Sequence, residues 1–509
     1  MPEQMKQQPV NNLKTTKMIS GILHINLSKL FSKFRSSQEL VMRAARGGIW
    51  IGGGDFAANG ARFIRNVILT RLLAPEAFGI MAIILAINAA FESLTQIGIN
   101  NVIIQNPRSL EKTFLNRAWW ISIVRGVLLY LFIFIAAPWI GNFYENTELT
   151  GLLRVCLLSV LFTASISPRT YIEIKKMHYK KWAAINYGST FIGVSAAICS
   201  GFFIHNVWAL VIGFTTEAAT RCLLSHVLCP FRPGLSFDIE STQAISKYIR
   251  GYLGLPIMTL IFNQTDILVI GKLCSSSDLG LYNMAITLAQ MPALIMAALM
   301  GHIGMPAFAE IQTDINKINQ AVIGITSVVV ALGMPAMLFA MFYGRDLLSI
   351  IYGPIYGSVA IPFAIVLLRS MVQIVGNPIV ALYFAIGRPE LNRRFTTIRA
   401  IAILVLIYPA IKHFSLIGAA MAGLIAMLVG YIIQIVNLYS ITKFDFRKYC
   451  AVFLRILACS FFIPIIWVIT NILDLNPFLN IVIGMIGIFL SYGLYLIIFR
   501  EFNTASSEA

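Results

Sequence analysis

The chain has 509 residues, 58% of them hydrophobic and only 12% charged, with a mean hydropathy of +0.78. That balance excludes a set of soluble domains and points to a membrane protein. The net charge of +17 would suit nucleic acid. Its placement argues otherwise, because the basic residues crowd alternate connections between apolar runs, as cytoplasmic loops do, so no nucleic-acid partner is expected.

Residues 1–46 form a basic segment taken as cytoplasmic. Lys29, Lys33 and Arg35 interrupt the apolar run from Ile22 to Phe34, which is not the pattern of a signal peptide. Ile19, Leu23, Leu27, Leu30 and Phe34 recur at helical spacing, which suits a basic amphipathic helix on the inner leaflet; a disordered tail is the alternative.

From there to Arg500 the chain runs through about fourteen apolar stretches, each near the ~20 residues that cross a bilayer. Continuous rather than alternating apolar runs select helices over a barrel. The expected spans are 47–70, 79–104, 118–141, 149–171, 182–203, 207–229, 247–272, 279–304, 318–344, 359–386, 396–412, 415–440, 449–470 and 477–500. The fold class is therefore all-α, a polytopic membrane protein. With the first helix starting on the cytoplasmic side, outer loops hold only Arg71, Lys272, Arg345 and Lys412, and both termini are cytoplasmic. Outer connections are mostly short, and none is long enough for an active site. Inner ones, such as 169–181, 388–399 and 443–448, are longer and basic.

The chain also repeats. Arg71, Leu72 and Gly79 stand at the joint of the first two helices, and Lys272, Leu273 and Gly280 stand 201 residues later at the joint of the seventh and eighth. A shift of six helices preserves orientation, so two parallel-repeat six-helix bundles are expected, as in several transporter folds. The bundles are 47–229 and 247–440, joined by a cytoplasmic linker at 230–246. Residues 441–509 carry two extra helices and a short tail.

Polar groups inside these helices are the candidates for function, because a charge at mid-bilayer usually faces a bundle interior or a wet cavity. In the first helix Gly48, Gly52, Asp55, Asn59, Arg62 and Asn66 fall on one face, with Arg65 about 80° away. The glycines also suit close helix packing. In the second helix Asn88, Glu92, Thr95 and Gln96 align. In the seventh, Tyr252, Thr259, Asn263 and Asp266 align, and the repeat maps Arg62 onto Asn263 and Arg65 onto Asp266. Arg369 lies in the middle of the tenth. Structural ion pairs compete with cavity roles: Glu92 with Arg62 or Arg65, Asp266 with Arg65 across the halves, and Glu217 with Arg221 at i, i+4. Arg125 and Arg154, near helix ends, read as snorkelling side chains.

Other chemistries lack their signatures. There is no P-loop pattern, no HExxH among six histidines, and no CxxC among seven cysteines, which read as packing residues. No metal, no cofactor and no enzyme activity are expected.

Two stretches carry a resemblance. Thr70-Arg71-Leu72-Leu73-Ala74-Pro75-Glu76-Ala77-Phe78-Gly79-Ile80 resembles the "ARLLxPExFG" joint of bacterial polysaccharide-transport-family flippases, and Gly98 with Val102-Ile103-Ile104-Gln105 resembles the "GxxxAxIQ" that follows. Asp266 to Leu273 resembles their "DxxxIGxLL", and Leu279-Gly280-Leu281-Tyr282-Asn283 their "LGxYxxA". The basic start before Val41 and the Gly52-Gly53-Gly54 triplet have no counterpart in these motifs.

The resemblance places the chain in the multidrug/oligosaccharidyl-lipid/polysaccharide exporter superfamily. It implies transfer of undecaprenyl-pyrophosphate-linked oligosaccharide across the bacterial plasma (inner) membrane, for O-antigen, capsule or exopolysaccharide. Partners would be the lipid-linked oligosaccharide, membrane lipids, and a polysaccharide polymerase with its chain-length machinery. Under that reading Arg62, Arg65 and Arg369 hold the anionic head, and Asn59, Asn88 and Asn263 meet sugar hydroxyls. Glu92, Asp266 and Asp55 are candidates for proton or sodium coupling. A cation-coupled drug antiporter of the same superfamily is the alternative, and a membrane enzyme of polysaccharide assembly a more distant one.

Overall fold

The computed structural model describes residues 38–94, 99–234, 254–300, 304–312, 314–473 and 475–508. The amphipathic stretch expected at 19–34, most of the 230–246 linker, and Tyr252, Thr95 and Gln96 lie outside them. Among the described residues every regular element is helical. The first half contains α1 (Gln38–Leu72), α2 (Pro75–Leu94), α3 (Ile99–Gln105), α4 (Lys112–Phe143), α5 (Glu148–Cys156), α6 (Leu158–Ala164), α7 (Arg169–Lys175), α8 (Tyr179–Ile204) and α9 (Trp208–Leu228). The second contains α10 (Gly254–Leu273), α11 (Ser276–Leu299), α12 (Met305–Glu310), α13 (Ile315–Phe342), α14 (Gly344–Ile351), α15 (Ala360–Ala385) and α16 (Pro389–Thr442). After these come α17 (Phe446–Cys459), α18 (Phe462–Ile472) and α19 (Pro477–Glu508). Among the described residues, eight helices are long and apolar enough to cross a membrane, or nine if a bent pair counts as one span.

The sequence sets most boundaries through end groups. Ser275 begins α11 by accepting from the Asp278 N–H at 3.0 Å, and Asp314 begins α13 by accepting from Asn316 and Lys317 N–H; both satisfy helix-end donors that would otherwise lack partners. Pro75 starts α2, where its missing N–H costs nothing.

Three elements differ from expectation. The first helix begins at Gln38, before the expected 47. The span expected at 149–171 is bent by 58° between Ala164 and Arg169, at Pro168, which cannot donate to the helix. Ser167 mends the break: its N–H donates to Ser225 Oγ at 3.0 Å and its hydroxyl to the Cys229 carbonyl at 2.6 Å. The expected eleventh and twelfth spans stand as two helices of α16 on either side of Ser415, whose φ of 50° and ψ of −132° are non-helical, the first reaching back to Pro389 rather than 396.

The halves meet through α2, which packs on α10 and α11. At the end of the molecule carrying the short loops, α2 and α11 cross at Gly79 and Gly280. A Cβ on Gly79 would strike the Ser276 carbonyl, and a Cβ on Gly280 the Pro75 carbonyl. The contact is reciprocal, as a two-fold between parallel repeats requires. Lipid tails are as apolar as side chains, so close backbone approach through small residues supplies the attraction here. Other bonds cross the halves at this end: Lys272 Nζ to Glu145 Oε1 at 2.7 Å, Tyr144 Oη to the Leu268 carbonyl at 3.2 Å, and Arg71 Nη2 to the Ile350 carbonyl at 2.6 Å. The last three helices pack against α13 and α14 of the second half.

Candidate functional site

In the first half, three helices converge on one carboxylate. Arg62 on α1 and Arg221 on α9 each place Nη2 2.7 Å from Glu217 Oε1. Thr190 on α8 donates to the same oxygen at 2.9 Å and accepts from Arg62 Nη2 at 3.1 Å. Arg65 lies in the field of Arg62 and Glu217 and donates through Nε and Nη2 to Asn66 Oδ1 at 3.2 and 2.9 Å. Two guanidiniums thus bond one carboxylate, leaving a positive surplus inside a membrane bundle. The Glu217 side chain is 11% exposed but that of Arg62 is 39% exposed, so the cluster is not closed off in a dry core.

In the second half Asp266 is fully buried and Arg369 nearly so, with Arg369 Nη1 donating to Asp266 Oδ2 at 3.2 Å. The Ile267 N–H holds the other oxygen at 2.9 Å. A closed pair of this kind is costly to break, about 3–5 kcal/mol for loss of one partner. Beside it, Arg399 on α16 lies over the ring of Phe262, 4.3 Å from its centroid, and Arg369 lies 5.7 Å from the same centroid.

The structure distributes the sequence candidates as follows. Arg62 is gripped by Glu217 from another helix, while Arg65, on the same helix, donates to Asn66. Asp266 pairs with Arg369 of its own half rather than with Arg65. Glu92 interacts with Asn88, Arg125 and Arg221. Asn88 is buried, with Oδ1 lacking a hydrogen bond. Asn59 and Asn263 are exposed. Asp55 accepts from Tyr187 Oη at 3.1 Å, and Tyr187 packs its ring against the bare Cα of Gly54. Arg154 donates to the Phe134 carbonyl at 3.4 Å and covers the Phe134 ring.

Two participants escaped the sequence reading. Glu217 makes its local pair with Arg221, but it also holds Arg62. Its signal was an acid deep in an apolar helix. Arg399 was counted with the basic inner loop 388–399; the helix in fact starts at Pro389, which carries Arg399 about 15 Å along it.

Residues 68–361 match the family described as polysaccharide biosynthesis protein. The chain is 24% identical to the lipopolysaccharide biosynthesis protein WzxC of Escherichia coli (strain K12) over 381 residues, 74% of this chain and 76% of that one. It is 20% identical to the teichuronic acid biosynthesis protein TuaB of Bacillus subtilis (strain 168) over 355 residues, 69% and 73% of the two chains. In fold it is similar to the lipid II flippase MurJ in an inward closed conformation, with a TM-score of 0.73 and 14% identity over 88% of this chain and 98% of that one. It is also similar to an inward-facing multidrug resistance transporter of the MOP superfamily, with a TM-score of 0.59 and 12% identity over 75% and 95% of the chains. The match spans both halves of the repeat and the joints read from the sequence: this chain is a multi-pass membrane protein of the polysaccharide biosynthesis protein family.

Proposed function

We propose that the protein moves a lipid-linked oligosaccharide with a pyrophosphate head from the inner to the outer leaflet of a bacterial plasma membrane, with both its termini cytoplasmic. The observation that carries this reading is the Arg62–Glu217–Arg221 cluster, a guanidinium surplus inside an apolar bundle with Arg62 partly exposed. Hydroxyls and a pyrophosphate would lose their water in hydrocarbon, at several kcal/mol per unpaired polar group. A cationic cluster replaces that water. Arginine suits phosphate because its planar fork makes two charge-assisted hydrogen bonds at once. The lipid tail stays in the bilayer while the two halves rock about the seam of α2 and α11.

Coupling to a proton or sodium ion belongs to the same proposal. Asp266, Glu92 and Asp55 are its candidates, joined by Glu217; a cation or proton on Glu217 would release Arg62 to the substrate. The proposal includes no covalent chemistry, and assembly partners such as a polymerase would act before or after transfer. The relatives WzxC and TuaB, named for polysaccharide biosynthesis, support this reading over drug export.

Purified protein in liposomes with a fluorescent polyprenyl-pyrophosphate oligosaccharide tests it. The expected result is label crossing between leaflets well above the protein-free rate, with the lipid chemically unchanged and Arg62→Ala inactive at normal abundance. Drug efflux without lipid transfer, or a covalent product, would replace this reading with one of the other two.

A further inference from the structure

The Arg399 guanidinium is held almost wholly by apolar and weakly polar groups. Its Cζ lies 4.3 Å from the centroid of the Phe262 ring and 5.4 Å from that of Phe395. Its Nη1 points at Met427 Sδ, 3.7 Å away. Its Nε is buried with no hydrogen-bond partner. Among the described residues no carboxylate forms an ion pair with it. Asp266, in the same half, is already committed to Arg369.

Stacking on aromatic faces offsets about 0.5–2 kcal/mol of the loss of hydration, whereas an unpaired charge in a membrane bundle costs several kcal/mol. The remainder calls for an anion. A guanidinium carries the planar set of donors that forks onto a phosphate.

We propose that Arg399 is the anion-binding group of the second bundle, taking a phosphate oxygen of the lipid-linked pyrophosphate, and that Arg369, closed off by Asp266, does not touch substrate. The assignment rests on the flipping reading above and moves the second-half contact from Arg369 to Arg399. The head then meets one open guanidinium in each half, Arg62 in the first and Arg399 in the second. Rocking of the halves can therefore pass it without ever leaving it bare.

The test is the initial rate of lipid-linked oligosaccharide transfer in liposomes as a function of its concentration. Arg399→Gln keeps a polar side chain, though a shorter one, and removes the charge; it is expected to raise the half-saturating concentration about tenfold, which corresponds to about 1.4 kcal/mol of binding. Arg399→Lys keeps the charge but loses the fork and should fall between the two, several-fold weaker than the wild type. Arg154→Gln removes a cation at the bundle edge and should leave the curve unchanged. Inorganic pyrophosphate should compete with transfer in the wild type about tenfold more strongly than in Arg399→Gln. Matching melting temperatures and gel-filtration profiles confirm that the variants are folded.

If Arg399→Gln saturates like the wild type with undiminished pyrophosphate competition, the assignment is overturned while flipping stands. If the wild type itself transfers nothing, the flipping reading falls. The anion site is then judged by the melting shift that inorganic pyrophosphate gives the detergent-solubilised protein: a shift lost in Arg399→Gln upholds the site, and equal shifts overturn it. Should Arg399→Gln not fold, Arg399→Lys carries the same comparison, since loss of the fork must weaken pyrophosphate competition several-fold and unchanged competition refutes the site.

Discussion

At the residue scale, Glu217 is the centre on which the first-half site depends. One of its oxygens receives two guanidiniums and a hydroxyl, so its loss and the loss of one arginine are unequal events. Arg221→Gln leaves the carboxylate still paired with Arg62. Glu217→Gln leaves two partly exposed cations facing each other, a loss smaller than the about 3–5 kcal/mol of a fully buried pair. The melting temperature in detergent should therefore fall clearly further for Glu217→Gln than for Arg221→Gln. Equal falls would mean that the cluster is not organised around the acid. Arg62→Gln should behave differently again: its side chain is 39% exposed, so stability changes little while transfer is lost.

At the element scale, the crossing of α2 and α11 determines how the halves close at the short-loop end. Gly79 and Gly280 each abut a carbonyl of the opposite helix, so Gly79→Val or Gly280→Val inserts atoms into backbone contact. Overpacking of this kind costs about 1–3 kcal/mol. A spin-label pair placed on the first turns of the two helices should separate in either variant, and an unchanged distance would show that the seam is not a close fit.

The same end carries an acid-sensitive tie. The hydrogen bond from Lys272, and then its positive charge, hold the exposed Glu145 carboxyl below the ordinary glutamate range. A carboxyl depressed in the folded state adds stability above its unfolded value, and that contribution disappears as pH falls through the folded value. Closure measured by the same label pair should therefore weaken as pH drops below the usual carboxylate range, and Glu145→Gln should abolish that dependence. A pH response that persists in the variant would assign it to another group.

At the scale of the whole molecule, the apolar runs and the joints at Arg71 and Lys272 made the all-helical fold and the repeat readable from the sequence. Hydropathy dictates where backbone must be helical, and the glycines of the joints mark where backbones touch. Ion pairing was not readable in the same way. Whether Asp266 meets Arg65 or Arg369 depends on how each helix is rotated about its axis against its neighbours, and no local pattern encodes that rotation. Arg399 stayed hidden for a related reason: Arg393 and Arg394 of the same helix are exposed, and only the rotation of that helix turns Arg399 toward Phe262.

The two halves together present more guanidinium than carboxylate, arranged about Glu217 in one and Asp266 in the other. The central claim is that this surplus makes up for the hydration an anionic glycolipid head loses in crossing. The direct measurement compares, in the same liposomes, transfer of a polyprenyl-pyrophosphate oligosaccharide with transfer of the same glycan on an uncharged polyprenyl linkage. The account predicts that the wild type moves the charged lipid at least ~10-fold faster, about 1.4 kcal/mol of preference, and that a protein carrying both Arg62→Gln and Arg399→Gln loses the difference. Equal rates for the two lipids in the wild type would contradict it.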